Sequence, residues 1–307
     1  MRKIAAAFDT SNYTTSFAFF DGTGGENSGR LLDVAPGQLG LRQSDALFSH
    51  IKRLPEIVNA LDISDCELVA VGASTKPRET EASYMPCFLA GASQAQVLAK
   101  TLGVPFYPFS HQQGHIAAAS FSSGHPELMD TPHLAWHLSG GTTELLYVRP
   151  SGRAVVCEII GGTSDVSAGQ IVDRAGQLLS LRFPSGRELD ALSQRAEKKE
   201  KWTPKVSECT FSLSGVEHKM KQRFENGDAP EELAYFALAS VFSAVASATE
   251  NARKKYGDIP VLYSGGVASN SLLRALTPDG IFAEPRYSTD NALGIAILTW
   301  RAHENGG

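Results

Sequence analysis

The four cysteines of this 307-residue chain, Cys66, Cys87, Cys157 and Cys209, are scattered and include no CxxC pair. Neither a disulfide framework nor a zinc knuckle is written into that spacing, and free thiols in a reducing compartment are the plain reading. Positive charge is not in excess either. Lys and Arg number 28 against 33 Asp and Glu, giving a net charge of −5 and a pI of about 5.9. This argues against wholesale wrapping of nucleic acid but leaves room for a local basic patch. The Walker and dinucleotide-binding glycine spacings are absent, and so is HExxH, which sets those phosphate folds and zinc peptidase chemistry aside. The apolar run after Met1 stops at Asp9, far short of a secretory core, and no stretch reads as long enough to span a bilayer. A cytoplasmic protein without membrane contact is expected.

What is present is an ordinary globular composition, 42% hydrophobic and 20% charged, with length enough for two domains or one bilobal unit. Residues 3–8 read as a buried strand, 14–20 as a second, 21–25 as a hairpin turn and 31–34 as a third strand. Helical spacing covers 43–61 and 88–102, with strands at 68–71 and 104–106. The polar stretch 74–86 reads as a loop. The pattern then begins again: strands at 134–138, 144–149 and 154–160, helices near 166–181, 187–199, 214–224 and 231–256, and a strand at 259–263. Two similar α/β lobes around a cleft follow from this duplication. The expected division is 1–130 and 131–287, with a C-terminal helix in 288–307 packing back on the first lobe.

The chemistry centres on Pro108–Val148. His111 and His115 stand four residues apart before a helix-forming Ile116-Ala117-Ala118-Ala119, so both rings can share one helix face and one metal ion. Packing or surface histidines are the alternative. A carboxylate is the expected third ligand, and Asp290 in Ser288-Thr289-Asp290-Asn291 is the best candidate; otherwise Ser288 or Thr289 caps a helix and Asp290 is its first-turn charge. Two turns, Ser139-Gly140-Gly141-Thr142 and Ser264-Gly265-Gly266-Val267, each follow an apolar strand and let backbone amides approach phosphate or a nucleoside. Asp9 closes the first strand ahead of a Thr/Ser turn, an arrangement that serves metal or phosphate contact or simply a hairpin. Asp173 suits ribose hydroxyls, or an exposed pairing with Arg174. Arg195, Lys198, Lys199, Lys201 and Lys205 form the notable basic cluster, interspersed with Glu197 and Glu200, and read as a solvated helix face or an RNA-binding patch.

Taken in order, His-x-x-Gly-His, the Ser-Gly-Gly turn, Ala168-Gly169-x-x-x-Asp173-Arg174 with Pro184-x-Gly186, Phe211-Ser212-Leu213-Ser214-Gly215, Gly265-Gly266-Val267-Ala268-x-Asn270 and Thr289-Asp290-Asn291-Ala292 resemble the TsaD, or glycoprotease, family of threonylcarbamoyltransferases. The resemblance covers almost the whole chain. It implies the actin-like, sugar-kinase fold and transfer of a threonylcarbamoyl group from its adenylate to adenosine of tRNA, together with partner proteins of that pathway, and an oligomer is compatible with it. It also implies one divalent metal, iron or zinc, on His111, His115 and Asp290, and an adenine nucleotide or acyl-adenylate as substrate. Ser139, Gly140 and Gly141 would sit at the acyl-adenylate, Asp173 and Gly186 near its ribose, and Asn270 at the nucleoside, with Gly265 and Gly266 in the second turn. Asp9 and Ser139 are the candidate catalytic residues. The chain departs from the family pattern at several points. Tyr13 and Thr14 replace an acidic pair, Thr142 replaces the histidine after Ser-Gly-Gly, Lys76-Pro77-Arg78 replaces a Gly-Pro-Gly loop, and Val216-Glu217 replaces Leu-Lys. A carbamoyl transfer to another acceptor, or a non-catalytic nucleotide-binding subunit, therefore stands beside the tRNA reaction.

Overall fold

The computed structural model describes the chain except residues 12, 34–40, 81–82, 288–289 and 307. Two compact units emerge: Met1–Thr131 with Arg149–Cys157 and Thr289–Gly307, and Pro132–Val148 with Glu158–Ser288.

The first unit opens with β1 (Arg2–Asp9), β2 (Thr14–Phe20), β3 (Gly25–Leu31), α1 (Gln43–Asn59), β4 (Cys66–Lys76), α2 (Leu89–Leu102), β5 (Phe106–Ser110) and α3 (His111–Ser122). Its sheet runs β3-β2-β1-β4-β5, with β1, β4 and β5 parallel. Ile4 to Phe8 are buried, the near-continuous apolar run that a strand covered on both faces requires. The third strand is not where apolar residues suggested. Asp21 accepts from the backbone amides of Thr23 and Gly24, which tightens the turn and starts the return strand at once, with Phe20 opposite Gly25. The polar Gly25–Leu31 segment hides this edge strand from a hydrophobicity reading, and Val34 lies outside the described residues. The fifth strand is also displaced from 104–106 to Phe106–Ser110. Gly103 ends α2 in the left-handed region at φ 69°, and the strand continues through Pro108, which an edge position tolerates.

The second unit holds β6 (His133–Leu138), β7 (Thr143–Ser151), β8 (Ala154–Thr163), α4 (Ala168–Leu178), α5 (Gly186–Ser193), β9 (Val206–Ser207), β10 (Thr210–Phe211), α6 (Ser214–Glu225), α7 (Pro230–Tyr256), β11 (Val261–Ser264), α8 (Ser271–Leu276) and β12 (Ile281–Phe282). The tip of the β7–β8 hairpin belongs to the first unit. The sheet order is β12-β11-β6-β7-β8-β10-β9. Trp136, Leu138 and Leu145 from the sheet pack with Ile171 and Ala175 of α4 and with Phe242 and Val245 of α7. Contrary to the sequence expectation, α7 is long and apolar enough to cross a membrane by length and composition. Its apolar length has another explanation, since 78% of its apolar window is buried within the fold as the central helix of this core. The helix expected over 187–199 ends at Ser193. Trp202 donates its amide to Ser240 Oγ on α7, drawing the chain away from the helical path, so the basic cluster lies on an irregular exposed segment instead of a helix face.

The last helix, α9 (Leu293–Glu304), packs on α3, β1 and β4 of the first unit. Its contact with α3 is a meeting of two glycines. A Cβ at Gly294 would lie 1.8 Å from the Gly114 carbonyl oxygen, and a Cβ at Gly114 would lie 2.7 Å from Ile295 Cδ1. Only side-chain-free positions let these two helix backbones touch. That contact brings Asp290, three residues ahead of α9, to the start of α3.

Candidate metal centre and nucleotide pocket

Parallel β1, β4 and β5 end on the same edge of their sheet, the side on which open α/β sheets carry their sites. Asp9 ends β1, and Ser110 ends β5 and begins α3. Ser110 and Gln113 form a reciprocal capping box: Ser110 Oγ accepts from the Gln113 amide at 3.3 Å, and Gln113 Oε1 accepts from the Ser110 amide at 2.8 Å. Gln113 Nε2 also donates to the Val155 carbonyl at 2.8 Å. The first turn of α3 is thereby fixed, and with it the direction of His111 and His115.

His111 Nε2 and His115 Nε2 lie 2.8 Å apart, and Asp290 Oδ1 lies 3.4 Å from the first and 3.3 Å from the second. One ligand atom from each residue thus falls within 4.8 Å of the others. Two imidazole nitrogens and a carboxylate oxygen are a donor set for a borderline divalent ion such as zinc or iron. The other face of His111 is also engaged: its Nδ1 meets Asp9 Oδ2 at 2.7 Å. Asp9 is 1% exposed and takes the Ser11 amide on its remaining oxygen. A carboxylate behind a histidine fixes the ring and the tautomer that offers Nε2 to a metal. Asp9, expected as a catalytic group, has a partner on each oxygen and stands directly behind His111. Thr14 Oγ1 donates to Asp290 Oδ2 at 3.3 Å, so the position of one member of the missing acidic pair holds a hydroxyl that steadies the Asp290 carboxylate.

The electrostatics follow from this crowding. Burial alone would lower the His111 pKa, but the facing Asp9 and Asp290 carboxylates overcome it and raise it to about 10. Burial would raise the Asp290 pKa, yet hydrogen bonds from His111 and His115 hold it well below the usual carboxylate range. At neutral pH His111 therefore carries its proton between two carboxylates. The helix cap expected at Ser288 or Thr289 lies outside the described residues.

In the second unit, a pocket of about 520 Å³ is lined by Gly140, Gly169, Val172, Asp173, the 183–190 segment and the turn that ends at Asn270. Gly140, Asp173, Gly186, Gly266 and Asn270 of the expected nucleotide set meet here. Gly140 and Gly266 have open space where a Cβ would stand, so a ligand can approach the backbone closely. Ser139, Gly141 and Gly265 are not among the lining residues. Ser139 Oγ accepts from the Thr142 amide at 3.1 Å, which braces the turn. Gly265 is required by its backbone, with φ of 93° and a Cβ that would strike the Leu138 carbonyl. Asn270 Oδ1 caps α8 by accepting from Leu272 and Leu273. Asp173 accepts from the Ser185 amide, whereas Arg174 pairs with Glu217, so the charge reversal at Glu217 is absorbed in an ion pair that also includes Lys221. Sequence reading missed Phe183, Arg187 and Asp190 in this pocket. Nothing in spacing or periodicity marks them, because their significance lies in exposure and in the fold of the segment before α5.

Comparison with known proteins agrees with this arrangement. The family model for TsaD, tRNA N6-adenosine threonylcarbamoyltransferase, matches residues 52–297. The Enterococcus faecalis tRNA N6-adenosine threonylcarbamoyltransferase is 34% identical over 294 residues, 89% of this chain and 80% of that protein. The Thermus thermophilus enzyme of the same name is 32% identical over 270 residues, 84% of this chain and 79% of the other. Among solved structures, component A of the Acidaminococcus fermentans (R)-2-hydroxyglutaryl-CoA dehydratase superposes with a TM-score of 0.56 at 14% identity, covering 97% of this chain and 98% of that one, which shows a shared fold. The architecture is the two-lobed actin-like, sugar-kinase fold, and the chain belongs to the TsaD family.

Proposed function

We propose that this chain is a metal-dependent transferase that moves a threonylcarbamoyl group from its adenylate to adenosine of tRNA, with partner proteins of that pathway. The observation that carries the reading is the convergence of His111, His115 and Asp290, with Asp9 locked behind His111, in a member of this family. The donor set fits one divalent ion, iron or zinc, which when bound supplies Lewis-acid polarisation of a carbamoyl or phosphate oxygen. Asp9 meets His111 Nδ1 and leaves Nε2 as the atom that would face a bound ion, and Thr14 donates to the second oxygen of Asp290. Gly140 and Gly266 admit the adenylate close to backbone amides, where developing negative charge is stabilised without reorganisation, and Asp173 serves the ribose. Ser139 shapes the first glycine turn.

One observation favours a second reading. With Tyr13 and Thr14 in place of the acidic pair, and Thr14 already bonded to Asp290, that turn offers no general base at neutral pH. Transfer to a different acceptor, or a nucleotide-binding subunit without turnover, would follow. The test is nucleoside mass spectrometry on tRNA from cells depleted of their own threonylcarbamoyltransferase and supplied with this chain and its native neighbours. Return of threonylcarbamoyladenosine, and its loss with His111→Ala, is the expected result. Persistent absence of the modified nucleoside while the protein still binds metal and adenine nucleotide would favour the second reading.

A further inference from the structure

The geometry points to Phe183 and Arg187 as the residues that recognise the base of the bound nucleotide, an inference that rests on the nucleotide reading above. Phe183 is a large apolar ring with 76% of its surface exposed, yet it sits on the wall of the 520 Å³ pocket. A phenylalanine held in water has no packing reason to be there, while a ring beside a cavity offers a π-face on which any planar base can stack. Arg187, in the first turn of α5, lines the same segment of wall and has no ion-pair partner among the described residues. Its guanidinium is a second planar group, suited to lie against a base by cation–π attraction.

The remaining lining divides cleanly by chemistry. Gly140, Gly169 and Gly266 bring backbone with no side chain, the surface that suits phosphate, whereas Phe183 and Arg187 bring the flat groups of the 183–190 segment. The carboxylate of Asp190 is already held by the amide and hydroxyl of Ser271, so it anchors the segment and leaves recognition to its neighbours. Asp173 has one oxygen on the Ser185 amide, which fixes the turn that presents Phe183. The base is therefore read by side chains of 183–187 and not by the glycine turns.

The experiment is calorimetric titration of the full chain with adenosine and with AMP, comparing wild type with F183A, F183W, R187A and R187K. Phe183→Ala should raise the Kd for adenosine and AMP by the same factor, about tenfold, and Phe183→Trp should restore both. Arg187→Ala should weaken both ligands by about threefold, and Arg187→Lys should fail to restore them, because charge is kept but the plane is lost. Phe183→Ala binding both ligands as wild type does would overturn the inference, as would an Arg187→Ala defect confined to AMP, which would assign the guanidinium to phosphate. Wild type that binds AMP while the variants are unchanged sinks this inference alone. Wild type that binds neither ligand removes the nucleotide reading along with it.

Discussion

The candidate metal centre of the first unit is built from side chains, whereas the pocket of the second sets glycine turns against a side-chain wall. At the metal centre, every important atom belongs to a buried or half-buried titratable group, and their positions depend on two helices touching at Gly114 and Gly294. In the pocket, Gly140 and Gly266 leave room instead of filling it, and their conformation is fixed by hydrogen bonds of the turns themselves. A side-chain site is sensitive to any shift in the elements that carry it. A glycine turn is sensitive to its own geometry, while the wall beside it is sensitive to the side chains that form it. The two regions should therefore fail in different ways.

The largest effect is expected from His111→Ala or Asp290→Ala. Each removes one donor of a three-donor set, and metal content measured by mass spectrometry should fall at least about a hundredfold at fixed free metal. AMP affinity, read on the same samples, should stay within about twofold of wild type if the two regions are independent in the way their construction suggests. Loss of AMP binding in parallel would break the comparison.

Next comes a glycine contrast. A Cβ at Gly294 would fall 1.8 Å from a backbone oxygen, so Gly294→Ala must push α9 away from α3. About 1–3 kcal/mol of stability should be lost in a denaturant titration, and metal should be lost with it because Asp290 moves. Gly266→Ala adds a methyl in open space with an ordinary backbone angle, and stability should change by no more than about 0.5 kcal/mol. Instead, AMP affinity should fall while that of adenosine is kept. Equal stability losses at both positions would contradict the distinction.

Asp9→Asn is the third test. It keeps shape and removes the charge behind His111, and a second-shell change of this kind costs about 10–100-fold in metal affinity. The pH dependence follows from the same pair. In the metal-free protein, His111 holds its proton up to about pH 10, so metal must displace a proton and apparent affinity should rise by about tenfold per pH unit below that value. The linkage sign for folding is the reverse. Since the His111 pKa is raised above its unfolded value of 6.5, the metal-free fold gains stability that is complete below 6.5 and lost as pH rises through about 10. Asp9→Asn should flatten both slopes.

How much of this was legible beforehand depends on whether the signal is local. His111 and His115 announce themselves by an i, i+4 spacing, and the two glycine turns by strand-then-Gly-Gly. Asp290 lies 175 residues beyond His115, so no local spacing links them; it stood as a candidate carboxylate that the family resemblance then singled out. The contacts of Asp9 were not legible beforehand, because sequence cannot say that its two oxygens meet the Ser11 amide and His111 Nδ1. Similarly, α5 was expected to run past its end: lysines and glutamates after Ser193 favour a helix, whereas the chain leaves the helical path and its Trp202 amide bonds Ser240 on α7. Phe183 carried no signal, since exposure is a property of the fold.

The smallest effect bears on the sharpest departure from the family. Thr14 stands where an acid is usual, and its hydroxyl reaches Asp290 Oδ2 at 3.3 Å, a long bond to an ionised acceptor. A hydrogen bond of this class contributes about 0.5–1.5 kcal/mol, so Thr14→Val should lower metal affinity by about two- to tenfold and Thr14→Ser should leave it unchanged. Such a pair of results would mean that the site has exchanged an acid for a brace, favouring firm metal retention over proton transfer at that turn. If Thr14→Val binds metal as wild type does, the hydroxyl is idle, and the change at this position altered the chemistry of the turn without any gain to the metal centre.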